Sequence, residues 1–239
     1  MVRIREGLIR RYVIFFVGLF VLSLGIATIT KASLGTSPIT SIPYSLSMIF
    51  TDLTLGNFTI LYSLLLVFLQ LVMLGKKANF FNLGMQVIVS FFFGYFVDFG
   101  MMVLADLNPA EYVLRIVCVI IGCCGLAFGV YMQIVADLVI IPGDGFAYTL
   151  TMKLRRPYNR VRVTSDVSMI IIAAVIGLIG LGTLGGVREG TVISAILVGN
   201  IANLFIRKFN WLTEKLMPGR SKTIFSRNVA VATNDKAKS

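Results

Sequence analysis

Histidine is absent from all 239 residues, tryptophan occurs once, and charged residues make up only 14% of the chain. Without an imidazole, Ser–His–Asp and Cys–His catalysis, histidine metal sites and histidine proton relays are all excluded. Any proton traffic must run through carboxylates, tyrosines or water. The three cysteines, Cys118, Cys123 and Cys124, fall inside one apolar stretch with no C-x-x-C pair. They read as small packing residues. No phosphate loop or metal-ligand cluster is present, so no cofactor is expected and the chain does not read as an enzyme. Charge is scarce because 57% of residues are apolar and mean hydropathy is +0.88. Soluble domains carry about a quarter charged residues.

Apolar windows cover residues 12–30, 58–74, 80–105, 113–135, 163–184 and 191–206. Most reach the roughly 17 to 25 residues that a membrane-crossing helix needs, which predicts an all-α polytopic membrane protein with about six spans. The last window is short, so its helix is expected to start nearer Gly185. Four arginines precede the first window but no A-x-A cleavage site follows it, so this span reads as retained. The net charge of +11 fits lysine and arginine gathering in cytoplasmic loops and does not point to nucleic acid. Residues 1–11 then form a basic cytoplasmic N-terminus and 207–239 a basic cytoplasmic tail, which opens on a short interfacial helix in KFNWLTEKLMPGRSK. Tyr12, Tyr112, Phe209 and Trp211 read as interface anchors.

Shifted by 104 residues, the chain matches itself at Gly18/Gly122, Leu22/Leu126, Gly25/Gly129, Ala32/Ala136, Leu34/Leu138, Pro38/Pro142, Tyr44/Tyr148, Leu46/Leu150 and Met48/Met152. With one inserted residue the match resumes at Gly94/Gly199 and Asp98/Asn203. Composition alone would give about two or three such identities, so residues 12–105 and 112–206 read as two homologous halves. Gly18, Gly25, Gly122, Gly125 and Gly129 recur on one side of their helices, as close helix packing requires.

Each half contains a break, KASLGTSPITSIPYSLS at 31–47 and VADLVIIPGDGFAYTLT at 135–151. Neither resembles about 20 apolar residues, and irregular backbone survives at membrane depth only inside protein or beside a wet cavity. The breaks are therefore expected to be re-entrant. Three spans per half is an odd number and makes the halves inverted repeats. An eight-span arrangement with parallel halves is the alternative. Cation placement does not separate them, at nineteen of twenty-two inside for six spans and eighteen for eight.

A half-helix that begins inside the membrane aims free amides and its positive dipole end at the midplane, where transporters place their sites. The candidate substrate-binding residues are Thr40, Ser41 and Tyr44 in the first break and Gly143, Asp144 and Tyr148 in the second. Asp144 is expected to cap its helix, and Pro43 to sit in a first turn. Asp98, in FFFGYFVDFGM, joins them as an intramembrane carboxylate. Asp166 is expected to pair with Arg162 four residues earlier. Arg188 and Glu189 are expected to pair with each other or clamp a neighbouring helix. The loop KLRRPYNRVR, 153–162, suits a cytoplasmic face and anionic head groups.

The segment GGVREGTVISAILVGNI, 185–201, together with IPGDGF and LGTSPITSIPYSLS, resembles the YitT/YczE group of bacterial membrane proteins. Because only a short tail follows residue 206, the chain is similar to the shorter YczE/YyaS type, without the cytosolic C-terminal domain of larger members. The resemblance implies a multi-pass plasma-membrane protein and supplies no substrate. The expected function is secondary transport of a small solute at the two breaks. The alternative is an accessory protein that binds a partner or anionic lipid through its basic loop. Expected partners are membrane lipids and an unspecified small molecule or ion, with homo-oligomer formation left open.

Overall fold

The computed structural model describes residues 2–75, 78–209 and 211, and among them the chain is all-helical. Eight helices follow in order: α1 (Val2–Lys31), α2 (Pro38–Ile49), α3 (Leu55–Leu74), α4 (Phe80–Val103), α5 (Tyr112–Ala136), α6 (Pro142–Leu154), α7 (Tyr158–Leu181) and α8 (Glu189–Lys208). All but α2 and α6 are long and apolar enough to cross a membrane. With 12 and 13 residues, α2 and α6 are about 18 to 20 Å long, well short of a hydrocarbon core about 30 Å thick. The outer faces of the long helices carry exposed Leu65, Phe68, Val72, Ile171, Val175 and Ile179, the last 83% exposed. Water would not tolerate such faces, and lipid does. The protein is a polytopic membrane protein with six spans.

At the centre, α1 packs along α5. A Cβ added to Gly25 would lie 2.5 Å from the Leu126 amide nitrogen and 2.7 Å from the Gly122 carbonyl, and one on Gly129 would lie 2.6 Å from the Gly18 carbonyl. Rising numbers on α1 meet falling numbers on α5, so the two helices run antiparallel. Bare glycines let the two backbones touch, as the spacing predicts. Phe15, Leu19, Ile26, Val119, Tyr131 and Val135 continue the seam, which α4 covers beside α1 and α8 beside α5. A smaller cluster, Ile42, Leu66, Met169 and Ala173, joins α2, α3 and α7. Cys118, Cys123 and Cys124 are free thiols on α5, the first two buried in the main core.

Local chemistry sets the helix ends. Pro38 and Pro142 occupy N1, where a missing amide proton costs nothing, and the residue before each is extended. Thr54 and Asn79 cap α3 and α4 by accepting from the amides of Asn57 and Asn82. Ser33 and Asp137 close α1 and α5 in the left-handed region, at φ 58° and 44°. Arg11 donates to the carbonyls of Ala136 and Asp137 at the free end of α5.

Several boundaries differ from expectation. The first helix runs back to Val2, because the arginines and leucine before the apolar window are good helix formers. The last begins at Glu189, after Gly182 and Gly185 turn the chain at positive φ. Pro43 lies inside α2 rather than in its first turn. Most of the expected tail helix falls outside the described residues.

Candidate functional site

Both half-helices pack on the opposite half of the chain, α2 against α7 and α6 against α3. The Ser41 hydroxyl reaches the carbonyl of Met169, halfway along α7, while Ile49 packs on Gly180 near its end. The N-terminus of α2 therefore lies level with the middle of a span, and its C-terminus at the surface. The N-terminus of α6 meets it there, because a Cβ on Gly143 would lie 1.9 Å from Cδ1 of Ile39.

Seven hydroxyl side chains are buried around the first turn of α2: Thr30, Thr36, Ser37, Thr40, Ser41, Thr191 and Ser194. The Thr36 hydroxyl bonds to that of Thr30 at 2.8 Å and that of Thr40 at 2.9 Å, and Thr40 bonds to Ser37 at 2.7 Å. Thr191 on α8 accepts from the Thr36 amide, while Ser194 donates to the Thr36 carbonyl. This contact requires Gly35. Its φ is +114°, and any Cβ there would strike the Thr191 hydroxyl. Beside the cluster an open cleft of about 300 Å³ is lined by Thr30, Lys31, Ser33, Tyr44 and Asn108, among others. Lys31 donates to the Ala105 carbonyl at its edge, and Arg188 to the Ser33 carbonyl at 3.1 Å. Arg188 thus clamps the broken segment and does not pair with Glu189.

The first turn of α6 carries a different chemistry. Gln70 of α3 and Gln86 of α4 face each other as a buried amide pair at 3.0 Å, and Gln70 also donates to the Pro142 carbonyl. Gly145 lies directly beneath them, with Oε1 of Gln70 only 2.7 Å from where a Cβ would be. Asp144 is not the cap. Ile141 holds that position, and Asp144, in the first turn, forms an ion pair with Arg162 at 2.8 Å. Arg162 also donates to the Tyr158 hydroxyl at 2.9 Å. The expected Asp166–Arg162 pair is therefore replaced, because the turn between α6 and α7 brings a second carboxylate to the same guanidinium.

Of the seven candidate residues, Thr40 and Ser41 lie in the hydroxyl cluster, Tyr44 lines the cleft beside it, and Gly143 and Asp144 lie at the facing helix start. Tyr148 points away, half exposed on the outer surface. Asp98 lies elsewhere as well. It accepts from the Thr54 hydroxyl at 2.6 Å and the Gly56 amide at 2.7 Å, supporting the start of α3 where Gly56 packs on Gly94. Sequence reasoning missed Gln70, Gln86, Thr191 and Ser194. Two glutamines inside apolar windows were the available signal, since a lone amide in a span needs a partner.

Known sequences include relatives over most of the chain. A model described as "Family of unknown function (DUF6198)" matches residues 9–207. The chain is 28% identical over 198 residues to "Uncharacterized membrane protein YczE" of Bacillus subtilis (strain 168), spanning 82% of this chain and 86% of that one. It is 25% identical over 197 residues to "Uncharacterized protein YyaS" of the same organism, spanning 82% and 92%. No solved structure matches. The chain belongs to the family of unknown function DUF6198.

Proposed function

We propose that the protein is a secondary transporter of a small anionic solute, built from two duplicated halves inverted in the bacterial plasma membrane with both termini inside. One observation carries this reading. The start of α2 lies level with mid-span, ringed by buried hydroxyls, and touches the start of α6 coming from the other side. Facing half-helix starts concentrate amide donors and positive dipole ends, which suits negative charge.

The duplication gains support from contacts that exchange under the 104-residue shift. Gly18–Gly129 becomes Gly122–Gly25, and the left-handed Ser33 becomes Asp137. α2 on α7 becomes α6 on α3. An antiparallel α1 and α5 favour inverted halves over parallel ones. The cleft carries Lys31, with Arg188 beside it, and its lining includes no acidic residue, which supports an anion over a cation. Transport then follows from one half rocking against the other about the α1–α5 seam. We assign the chain no enzymatic step.

Counterflow into proteoliposomes with organic acids, inorganic anions and amino acids tests the reading. Uptake of an anion that falls at least about tenfold in Thr40→Val is expected. Correctly folded protein that moves none of these solutes would count against it. The accessory reading draws on Lys153 at the end of α6, Arg155 and Arg156 in the turn and Arg160 at the start of α7, all exposed. Reversing charge at Arg155, Arg156 and Arg160 abolishes function under that reading and spares uptake under ours.

A further inference from the structure

Arg162 and Asp166 lie one turn apart on α7, on the part of the span that faces α6 and α3. Arg162 is engaged by Asp144 and by Tyr158. Asp166 is partly buried and forms no ion pair with any described residue. The charged groups acting on it are Arg162 of its own helix and Asp144 of α6, while it acts in turn on Tyr62 of α3 and Tyr158 of α7. α2, also packed on α7, carries no charged residue, and those of α8 lie at its two ends.

Asp144 therefore holds the guanidinium, and Asp166 is a second carboxylate close enough to act on both partners of that pair. With both ionised the cluster holds an uncompensated negative charge, which is costly in apolar surroundings. A proton on Asp166 removes that charge and leaves Arg162 wholly to Asp144. When Asp166 gives its proton up, it competes for Arg162, four residues earlier on the same helix face, and it also repels Asp144. Both effects weaken the link that ties α6 to α7.

We propose that Asp166 carries the coupling proton of the transport cycle, and that its protonation latches the α6 half-helix onto α7 through the Asp144–Arg162 pair. The coupling role rests on the transporter reading, while the latch does not. At low pH the latch is closed. As pH rises the proton leaves the Asp166 carboxyl for the aqueous side, and the first turn of α6 is freed beneath the hydroxyl cluster.

Hydrogen exchange of the full chain in nanodiscs, followed for the α6 peptide from pH 5 to 8 and corrected for intrinsic exchange, reads the latch directly. Wild-type α6 should open about tenfold more at the high end. Asp166→Asn should stay closed throughout, Asp166→Glu should keep the pH dependence, and Asp144→Asn should be open at every pH. An α1 peptide should not respond. Wild-type exchange that ignores pH, a response that survives Asp166→Asn, or one that follows sodium instead would overturn the proposal. Proteoliposome uptake separates the two readings. Uptake with a pH-insensitive latch sinks the latch alone, and a pH-sensitive latch with no uptake of any solute sinks the transporter alone.

Discussion

Gly25→Ala places a methyl carbon 2.5 Å from the Leu126 amide nitrogen and 2.7 Å from the Gly122 carbonyl. Ordinary contact begins near 3.4 Å, so α1 and α5 must separate by about 0.9 Å at their closest point. Both obstacles are backbone, and no side-chain rotation relieves them. Overpacking of this kind costs about 1 to 3 kcal/mol, set against a helix-propensity gain of about 1 kcal/mol for replacing glycine by alanine. The overpacking term should win, leaving a net loss of up to about 2 kcal/mol. Gly129→Ala meets the Gly18 carbonyl and Leu22 at 2.6 Å and should behave alike, while Gly18→Ala, whose nearest neighbour is the Met132 Cβ at 2.8 Å, should be milder. Gly199→Ala supplies the control. Nothing lies within 4 Å of it on α8, so only the propensity gain remains. Unfolding in mixed micelles, monitored by circular dichroism against detergent composition, ranks the four variants. Gly25→Ala as stable as Gly199→Ala would refute the close seam on which the bundle is built.

Other substitutions test the polar contacts singly. Asp98→Ala removes the acceptor for the Gly56 amide and Thr54 hydroxyl and should cost about 1 kcal/mol in the same assay, as caps do, whereas Asp98→Asn should retain part of it. Gln70→Leu strands Gln86 and the Pro142 carbonyl and should cost about 1 to 3 kcal/mol, and adding Gln86→Leu should restore part of that loss. Thr36→Val breaks bonds to both Thr30 and Thr40 and should lower stability by a similar amount of about 1 to 3 kcal/mol; an unchanged midpoint would show that the hydroxyl chain does not hold the α2 start.

The spans were legible because lipid demands long apolar runs, and the half-helices because Pro38 and Pro142 interrupt them at matching places. Glycine spacing on α1 and α5 announced their contact for the same reason, since only bare backbone permits it. Partners distant in sequence were not legible. Asp98 lies within an apolar window and looks like a solute ligand until Gly56, 42 residues earlier, is placed beneath it. Arg162 has Asp166 at helical spacing, and only the turn between α6 and α7 presents Asp144 instead. Gln70 and Gln86 are 16 residues apart on separate helices, so neither predicts the other without the fold. Hydroxyls are cheap to place in any helix, where they bond their own carbonyls, so Thr191 and Ser194 gave no sign that α8 closes over Thr36.

Joining the two half-helix starts covalently probes their meeting most directly. The Ile39 side chain approaches Gly143 closely enough that paired cysteines would have Cβ atoms within about 4.5 Å, inside disulfide range. In a chain with Cys118, Cys123 and Cys124 replaced by alanine, Ile39→Cys with Gly143→Cys should cross-link in native membranes under mild oxidation, and Tyr148→Cys with Ile39→Cys should not. A cross-link that fails to form in the first pair, while Gly18→Cys with Met132→Cys reacts as the α1–α5 packing requires, would show that the two helix starts do not face each other and would remove the site.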